Sequence, residues 1–443
     1  MATLTVLLAL LLACGARADV DVPTFQQEFH NWAEAHVDTF SFPAASEPFS
    51  SVTLTYTLDC PGSPGDCDPW DRLGFLSVLV PDGNGGQTRI EIARIVTPYD
   101  ITGSWGPPYG TGPGECGWEF DVSDYSHLLR GEVILSSYIE TWIGDDRGWQ
   151  VTADFHFTSG VPELEPFEVL PLWDLGHLVI GDSSNPYSQY LSGRNWALPA
   201  EAEAARLRIT TTGHGQGNTD NAAEFSDLEH YVLLDFNMQT LNLWRDDCNV
   251  NPCSGQGGNW WYGRFNWCPG SSVPAWTSDV PVGQDSVFVD YWFESYDNHC
   301  RPNNPDCISG QTCTDCNYNS TGHTEPIYST VGQLVFYRTP VSAVDPARQR
   351  PSTSTLGAAW PNPFNPGTQL PLVLDRPARA RLAVYNLLGE RVALLVDGWL
   401  PAGSHAFRFD GEGLPSGVYM ARLELEPSGG AVGVSTRKLV LMR

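Results

Sequence analysis

Two cysteines close a short loop, Cys60-Pro-Gly-Ser-Pro-Gly-Asp-Cys67, and Asp68, Trp70, Asp71 and Arg72 follow it at once. A guanidinium beside Asp71 is expected to keep its carboxylate ionised, because an opposite charge a few ångströms away favours the charged form. The next residues, Leu73-Gly-Phe-Leu-Ser-Val-Leu-Val80, read as a buried strand, so the loop delivers a carboxylate, an indole and a guanidinium to the mouth of a β-structure. Three further stretches carry similar chemistry. Ile139-Glu-Thr-Trp142 places Glu140 and Trp142 on one strand face, since residues two apart point the same way. Asn221-Ala-Ala-Glu-Phe225 puts Glu224 in a polar loop, with His230 following. Arg264-Phe-Asn-Trp-Cys-Pro-Gly270 supplies a second guanidinium beside Trp267 and Cys268. Each stretch alone has a plain alternative: a calcium-type loop or surface salt bridge, a solvated strand glutamate, a Trp–Cys core contact.

The chain that positions these residues has 443 amino acids, too many for one ordinary core, so two or three domains are expected. Aromatic residues make up 12% and Trp alone counts 16, which suits sugar-binding faces and large sandwich cores equally. A net charge of −28 argues against nucleic acid or an anionic membrane as partner. Beyond the N-terminus no apolar run is long enough to span a bilayer. Residues 1–18 read as a secretion signal: an apolar core from Thr5 to Ala13, then Ala16-Arg17-Ala18 before Asp19. Its first residues lack Lys and Arg, and Leu11-Leu-Ala-Cys14 offers a poor lipoprotein box as the alternative. Of 11 cysteines, all but Cys14 follow that cleavage point; an even number in an exported chain points to disulfides rather than zinc.

Residues 19–160 read as one all-β unit. Val52-Thr-Leu-Thr-Tyr-Thr-Leu58 alternates apolar and polar, Asp82-Gly-Asn-Gly-Gly86 is a hairpin turn, and Arg89–Val96, Val133–Ile139 and Val151–Phe157 are strand candidates. A short amphipathic lead-in lies near Phe25–Val37, and a Gly/Pro-rich loop runs from Gly103 to Gly117. Residues 161–339 repeat the style, with strands expected at Leu207–Thr212, Tyr231–Asn237, Ser286–Glu294 and Gln333–Tyr337. Cys248, Cys253 and Cys268 bracket a Gly/Trp-rich loop, and Cys300, Cys307, Cys313 and Cys316 share another. The Cys-x-x-Cys at 313–316 could bind zinc, but export favours stapling. Residues 340–356 read as a linker, and 357–443 as a small β-domain opening with Ala359-Trp-Pro-Asn-Pro-Phe-Asn-Pro366. Many short strands with turn signals and no helical period imply sandwiches or jelly rolls.

In order along the chain, residues 23–339 resemble the peptide-N-glycosidase F family. The resemblance is carried by Thr39-Phe-Ser-Phe-Pro43, Trp70-Asp71-Arg72, Thr97-Pro-Tyr99, Phe120-Asp-Val-Ser-Asp124 with Leu128-Leu129, Glu140-Thr-Trp142, Ala223-Glu224 with His230, and Gly258-Asn-Trp260 leading into Trp267-Cys-Pro-Gly270. It implies two adjacent antiparallel jelly-roll sandwiches with the active site in the cleft between them. It makes Asp71 the primary catalytic acid, with Glu224 and Glu140 in support, and places Arg72, Trp142 and Arg264 around the chitobiose core of a bound N-glycan. It also implies Cys60–Cys67 and Cys248–Cys268 disulfides. Cys300, Cys307, Cys313 and Cys316 are then expected to pair among themselves, leaving Cys116 and Cys253 to pair with each other or stay free. The last fifth of the chain resembles the Ig-like C-terminal sorting domain of bacterial proteins exported by the type IX route. That implies a secreted or cell-surface protein whose C-terminal domain meets the export machinery, with a monomer expected.

The implied reaction suits the residue types. A glycosylated Asn side chain is a secondary amide, so Asp71 can take a proton from water and an Arg can face the charge developing on the carbonyl oxygen. N-glycoproteins or glycopeptides are the expected substrates, with no cofactor or metal required. Three departures from the family stand out. Ala222 and Ser226 occupy the positions of two bridged cysteines flanking the catalytic-loop glutamate, His214 stands where the family has a tryptophan near the entrance, and the four-cysteine loop is an insertion. The rival readings are a non-catalytic glycan-binding relative, an endoglycosidase, which would leave one sugar on the protein, and a two-sandwich copper monooxygenase. The last is disfavoured by scattered histidines and only 4 Met.

Overall fold

The computed structural model describes residues 18–62, 65–83, 85–102, 115–253, 255–308, 311, 313, 316, 322–340, 354–374, 378–400, 403–427 and 433–442. The signal segment 1–17, most of the Gly/Pro-rich loop at 103–117 and most of the linker at 340–356 lie outside the described residues. The chain divides into two compact units, Met1–Pro340 and Val341–Arg443.

In the first unit, two pairs of antiparallel sheets form two cores. One sheet of the first pair runs Val20–Pro23, Trp149–Ser159, Phe49–Asp59, Glu115–Asp121, with Glu28–His30 also paired to Trp149–Ser159. Its facing sheet runs His36–Ser41, Glu132–Ile139, Leu73–Pro81, Gln87–Val96. The alternation seen in sequence sets the packing: Val52, Leu54, Tyr56 and Leu58 are buried while their neighbours face outward, and they meet Leu76, Val78 and Leu135 of the other sheet. The second pair consists of Glu165–Val179, Ile327–Arg338, Ala204–His214 and Trp276–Val280 against Arg194–Ala197, Ser286–Phe293, His230–Leu234 and Asn237–Leu241.

Three expectations change. Glu140 and Trp142, expected on one strand face, lie past the end of the strand Glu132–Ile139. The single strand expected at Tyr231–Asn237 is a hairpin, His230–Leu234 turning into Asn237–Leu241. Asp235 at the corner has φ 52°, a conformation Asp tolerates and a strand interior does not use. The lead-in near Phe25–Val37 contains the strand Glu28–His30 and the start of His36–Ser41.

The two sandwiches are joined along the edge strand Gln87–Val96. Its backbone continues the pairing into the second half: Val96 N donates to Ser271 O (3.0 Å), Gly270 N to Val96 O (3.0 Å) and Val273 N to Arg94 O (2.9 Å). A small apolar cluster of Leu73, Val96, Trp267 and Val273 fills the seam, and the Cys116–Cys253 disulfide crosses it. The second unit is a smaller sandwich: Thr355–Leu356, Gly367–Leu374 and Gly403–Asp410 against Arg391–Leu400, Ala378–Tyr385, Gly417–Pro427 and Gly433–Leu441, with its own core around Leu370, Leu382, Leu423 and Leu439.

Candidate functional site

The stapled loop works through a residue the sequence reading left aside. Asp68 is completely buried directly behind the Cys60–Cys67 disulfide. Its carboxylate accepts from Arg72 Nε (3.0 Å), Thr141 Oγ1 (2.5 Å) and the Trp70 backbone N–H (3.0 Å). One buried anion therefore ties the loop that carries Asp71 to the segment that carries Glu140 and Trp142. A buried carboxylate with three donors is well satisfied, and its charge fixes the Arg72 guanidinium. The expected Asp71–Arg72 pair does not form in this way: Arg72 bonds Asp68, four residues back, because the turn folds its side chain over the loop. The partner of Asp71 is Trp267, whose Nε1–H donates to Asp71 Oδ2 at 2.8 Å.

From the second sandwich comes the opposing wall. The end of strand Ala204–His214 passes so close to the 222–224 segment that a Cβ on Gly213 would lie 2.5 Å from Ala223 O. Only glycine permits that approach, and it sets His214 against Glu224: Nδ1 lies 3.1 Å from Glu224 Oε2. Arg264 Nη1 donates to Glu224 Oε1, and its Nη2 donates to Asn259 Oδ1 at 2.6 Å. The Glu224 and Arg264 side chains are buried, with 5% and 4% exposed. The His214 ring stacks on Trp267 with centroids 4.4 Å apart and 27° between planes. His214 is held by these contacts yet keeps 41% of its side chain open to solvent.

Charges converge on that ring. Burial lowers the His214 pKa; Asp71 and Glu140 pull it up, while Arg264 and Arg72 push it down. Five of the six expected site residues, Asp71, Arg72, Glu140, Glu224 and Arg264, are therefore grouped around His214. Burial also lowers the Arg264 pKa, opposed by Asp71. The sixth, Trp142, stands at the rim, 52% exposed, edge-on to Trp32 at 5.5 Å. The glutamate that precedes it is held by its backbone, Glu140 N donating to Leu73 O at 2.9 Å.

Sequence reasoning gave Asp68 and Trp267 no role and His214 only that of a departure. The signal for Asp68 was its place one residue after a bridged cysteine. The ten cysteines form Cys60–Cys67, Cys116–Cys253, Cys248–Cys268, Cys300–Cys316 and Cys307–Cys313. The Cys-x-x-Cys at 313–316 is thus split between two bridges. The two groupings among the described residues that could offer three metal ligands, Cys60/Asp66/Cys67 and Cys307/Cys313/Cys316, consist mainly of bridged sulfurs.

This chain is 31% identical over 311 residues to the peptide-N(4)-(N-acetyl-beta-D-glucosaminyl)asparagine amidase F of Elizabethkingia miricola, covering 65% of this chain and 82% of that protein. It belongs to the peptide-N-glycosidase F family. The sequence profile for the C-terminal part of peptide-N-glycosidase F matches residues 187–301, the stretch that carries His214, Glu224 and Arg264. The fold agrees with the solved structure of PNGase F, described as a glycosylasparaginase from Flavobacterium meningosepticum: TM-score 0.58 at 24% identity, over 74% of this chain and 98% of that one. PNGF-II has the same fold with a TM-score of 0.53 at 15% identity, over 74% of this chain and 66% of that one.

Proposed function

We propose that this protein is an exported amidase that hydrolyses the bond between the first sugar of an N-glycan and its asparagine, releasing the intact glycan. The observation that carries this reading is the Asp71–Trp267–His214–Glu224–Arg264 chain of contacts in a member of the peptide-N-glycosidase F family. The Trp267 N–H engages Asp71 Oδ2, and Oδ1, without a hydrogen-bond partner among the described residues, can meet water. A proton passes from water to that oxygen as the water oxygen bonds to the amide carbon. Arg72, anchored at Nε by Asp68, has terminal N–H groups to face the charge that develops on the carbonyl oxygen. Breaking the C–N bond returns the proton to nitrogen. The products are an aspartate peptide and a glycosylamine, which loses ammonia in water. Glu224 and Glu140 hold the water or the first sugars, and Trp142 offers its open face to the glycan.

On this reading residues 1–18 direct secretion and 357–443 form an Ig-like sorting domain that meets the export machinery, leaving a monomeric catalytic unit of two jelly rolls, 19–160 and 161–339. N-glycopeptides and N-glycoproteins are the substrates. The test is incubation with a single N-glycopeptide followed by mass spectrometry of the peptide. Conversion of Asn to Asp with the whole glycan freed supports the amidase. A sugar left on Asn indicates an endoglycosidase, and unchanged glycopeptide that binds the protein indicates a lectin.

A further inference from the structure

We infer that His214 is a positioning residue of this site: as a neutral imidazole it donates Nδ1–H to Glu224 Oε2, clamping that carboxylate opposite Arg264, and presents Nε2 to the substrate side as a hydrogen-bond acceptor. The inference rests on the amidase reading and adds a residue to it.

The geometry restricts the ring on one face and one edge, and fixes the group at that edge. Trp267 covers one face at 4.4 Å, Glu224 engages Nδ1 at 3.1 Å, and Arg264 holds the other oxygen of the same carboxylate. A carboxylate cannot donate, so the Nδ1 contact requires the proton to sit on Nδ1, which leaves a lone pair on Nε2. Nε2 has no protein partner among the described residues, and 41% of the side chain is open. The ring is thus fixed in one tautomer with its acceptor turned out of the contact network. An acceptor there suits an N–H or O–H of the first sugar, or the attacking water.

The charged groups that face the ring are Asp71, Glu140, Glu224, Arg72 and Arg264. The two positive and three negative charges oppose one another, while burial disfavours the imidazolium. Protonation would leave the Nδ1–H donation to Glu224 in place but turn Nε2 from acceptor to donor. Activity that needs the acceptor should therefore rise with pH as His214 loses its proton, below the ordinary histidine value.

Three variants separate the parts. His214→Phe keeps a ring on Trp267 and removes both nitrogens; kcat should fall by about tenfold to a hundredfold, the scale of a lost positioning contact. His214→Asn restores a donor near the Nδ1 position without a titrating group. It should regain part of kcat and lose the histidine step in the pH profile. His214→Gln, which reaches toward the Nε2 position instead, should do less for kcat. The independent measurement is 15N NMR of the wild-type imidazole, which should show the Nδ1–H tautomer at neutral pH. Wild type that fails to convert Asn to Asp defeats the amidase reading. Wild type that converts it, with a folded His214→Phe of equal kcat and unchanged pH profile, overturns this inference alone. If the Phe variant does not fold, an Nε2–H tautomer in wild type overturns the inference and an Nδ1–H tautomer upholds it.

Discussion

Two buried arginine–glutamate pairs lie at the junction of the sandwiches, and burial does not tell them apart. In the first, Arg94 and Glu91 side chains are 1% and 4% exposed; in the second, Arg264 and Glu224 are 4% and 5% exposed. One strand serves both, since Thr212 meets Arg94 and His214, two residues on and on the same face, meets Glu224. The difference is in what is left over. Arg94 spends every kind of donor it has: Nε and Nη2 on the two Glu91 oxygens, at 2.7 and 2.9 Å, and Nη1 on Thr212 Oγ1 and Ser329 O. Arg264 keeps a buried Nε–H with no partner among the described residues, beside a histidine that is open to solvent and an aspartate with a spare oxygen. A closed network holds domains together, whereas one with unused donors and acceptors next to a solvent-open side chain can act on something else.

The largest effect expected from this contrast is on Asp71. Asp71→Asn keeps the acceptor for Trp267 Nε1–H but removes the charge and the proton acceptor. Turnover should fall by about 10²–10⁴-fold, the contribution of a positioned general base. Thermal unfolding should hardly move. A folded Asp71→Asn protein within a few-fold of wild type in glycan release would transfer the role to Glu224.

Next comes stability, where the closed pair should respond more. Arg94→Met leaves the buried Glu91 carboxylate with only the long 3.5 Å contact from Arg89 Nη1, and breaking a buried pair costs about 3–5 kcal/mol. Urea titration should show that loss, with the activity of the remaining folded fraction close to wild type. Glu224→Gln reverses the pattern: a severe loss of turnover for a smaller loss of stability, because Arg264 keeps Asn259 and the charge of Asp71. Equal responses from the two pairs would mean that they serve the same role.

These assignments differ in how far the sequence revealed them. The expectations for Asp71, Glu140 and Glu224 rest on short stretches whose neighbours match a family pattern. The Arg72–Asp68 pair was not legible, since adjacency in sequence pointed to Asp71 and only the turn geometry selects Asp68. The Glu91–Arg94 pair was less legible still. Residues three apart on a regular strand point to opposite faces. A bulge makes the pair possible: Leu76 faces Ala93 and Ser77 faces Glu91, so Ile92 is the extra residue and the alternation resets between Glu91 and Arg94. The contact between His214 and Glu224 depended on the close pass at Gly213, which leaves no periodic signal.

A smaller effect tests whether Asp68 belongs to the site or to the scaffold. Asp68→Asn retains size and one acceptor but weakens a charge-assisted bond to Arg72, a contact worth about 1.5–3 kcal/mol. If Arg72 faces the transition state, kcat should drop by roughly tenfold or more with little change in KM. A change confined to unfolding would make Asp68 part of the scaffold.

The smallest expected effect is the sharpest test of the comparison. Replacing a buried ion pair as a pair leaves no stranded charge, and such exchanges are often neutral or stabilising. Glu91→Leu with Arg94→Met should therefore recover most of the stability lost in Arg94→Met. Thr212 and the Ser329 carbonyl lose a donor, but Thr212 Oγ1 already lies 3.5 Å from Ser329 O and can turn to it. Activity should stay near wild type, because no donor or acceptor around His214 has changed. The matching double exchange, Glu224→Leu with Arg264→Met, should be equally mild in urea titration and yet abolish glycan release. Two pairs alike in burial and in the stability of their apolar replacements, but opposite in the activity that survives, would separate the charge that holds this fold together from the charge it uses. A Glu91/Arg94 double variant that folds normally but loses activity would place the seam inside the catalytic machinery instead.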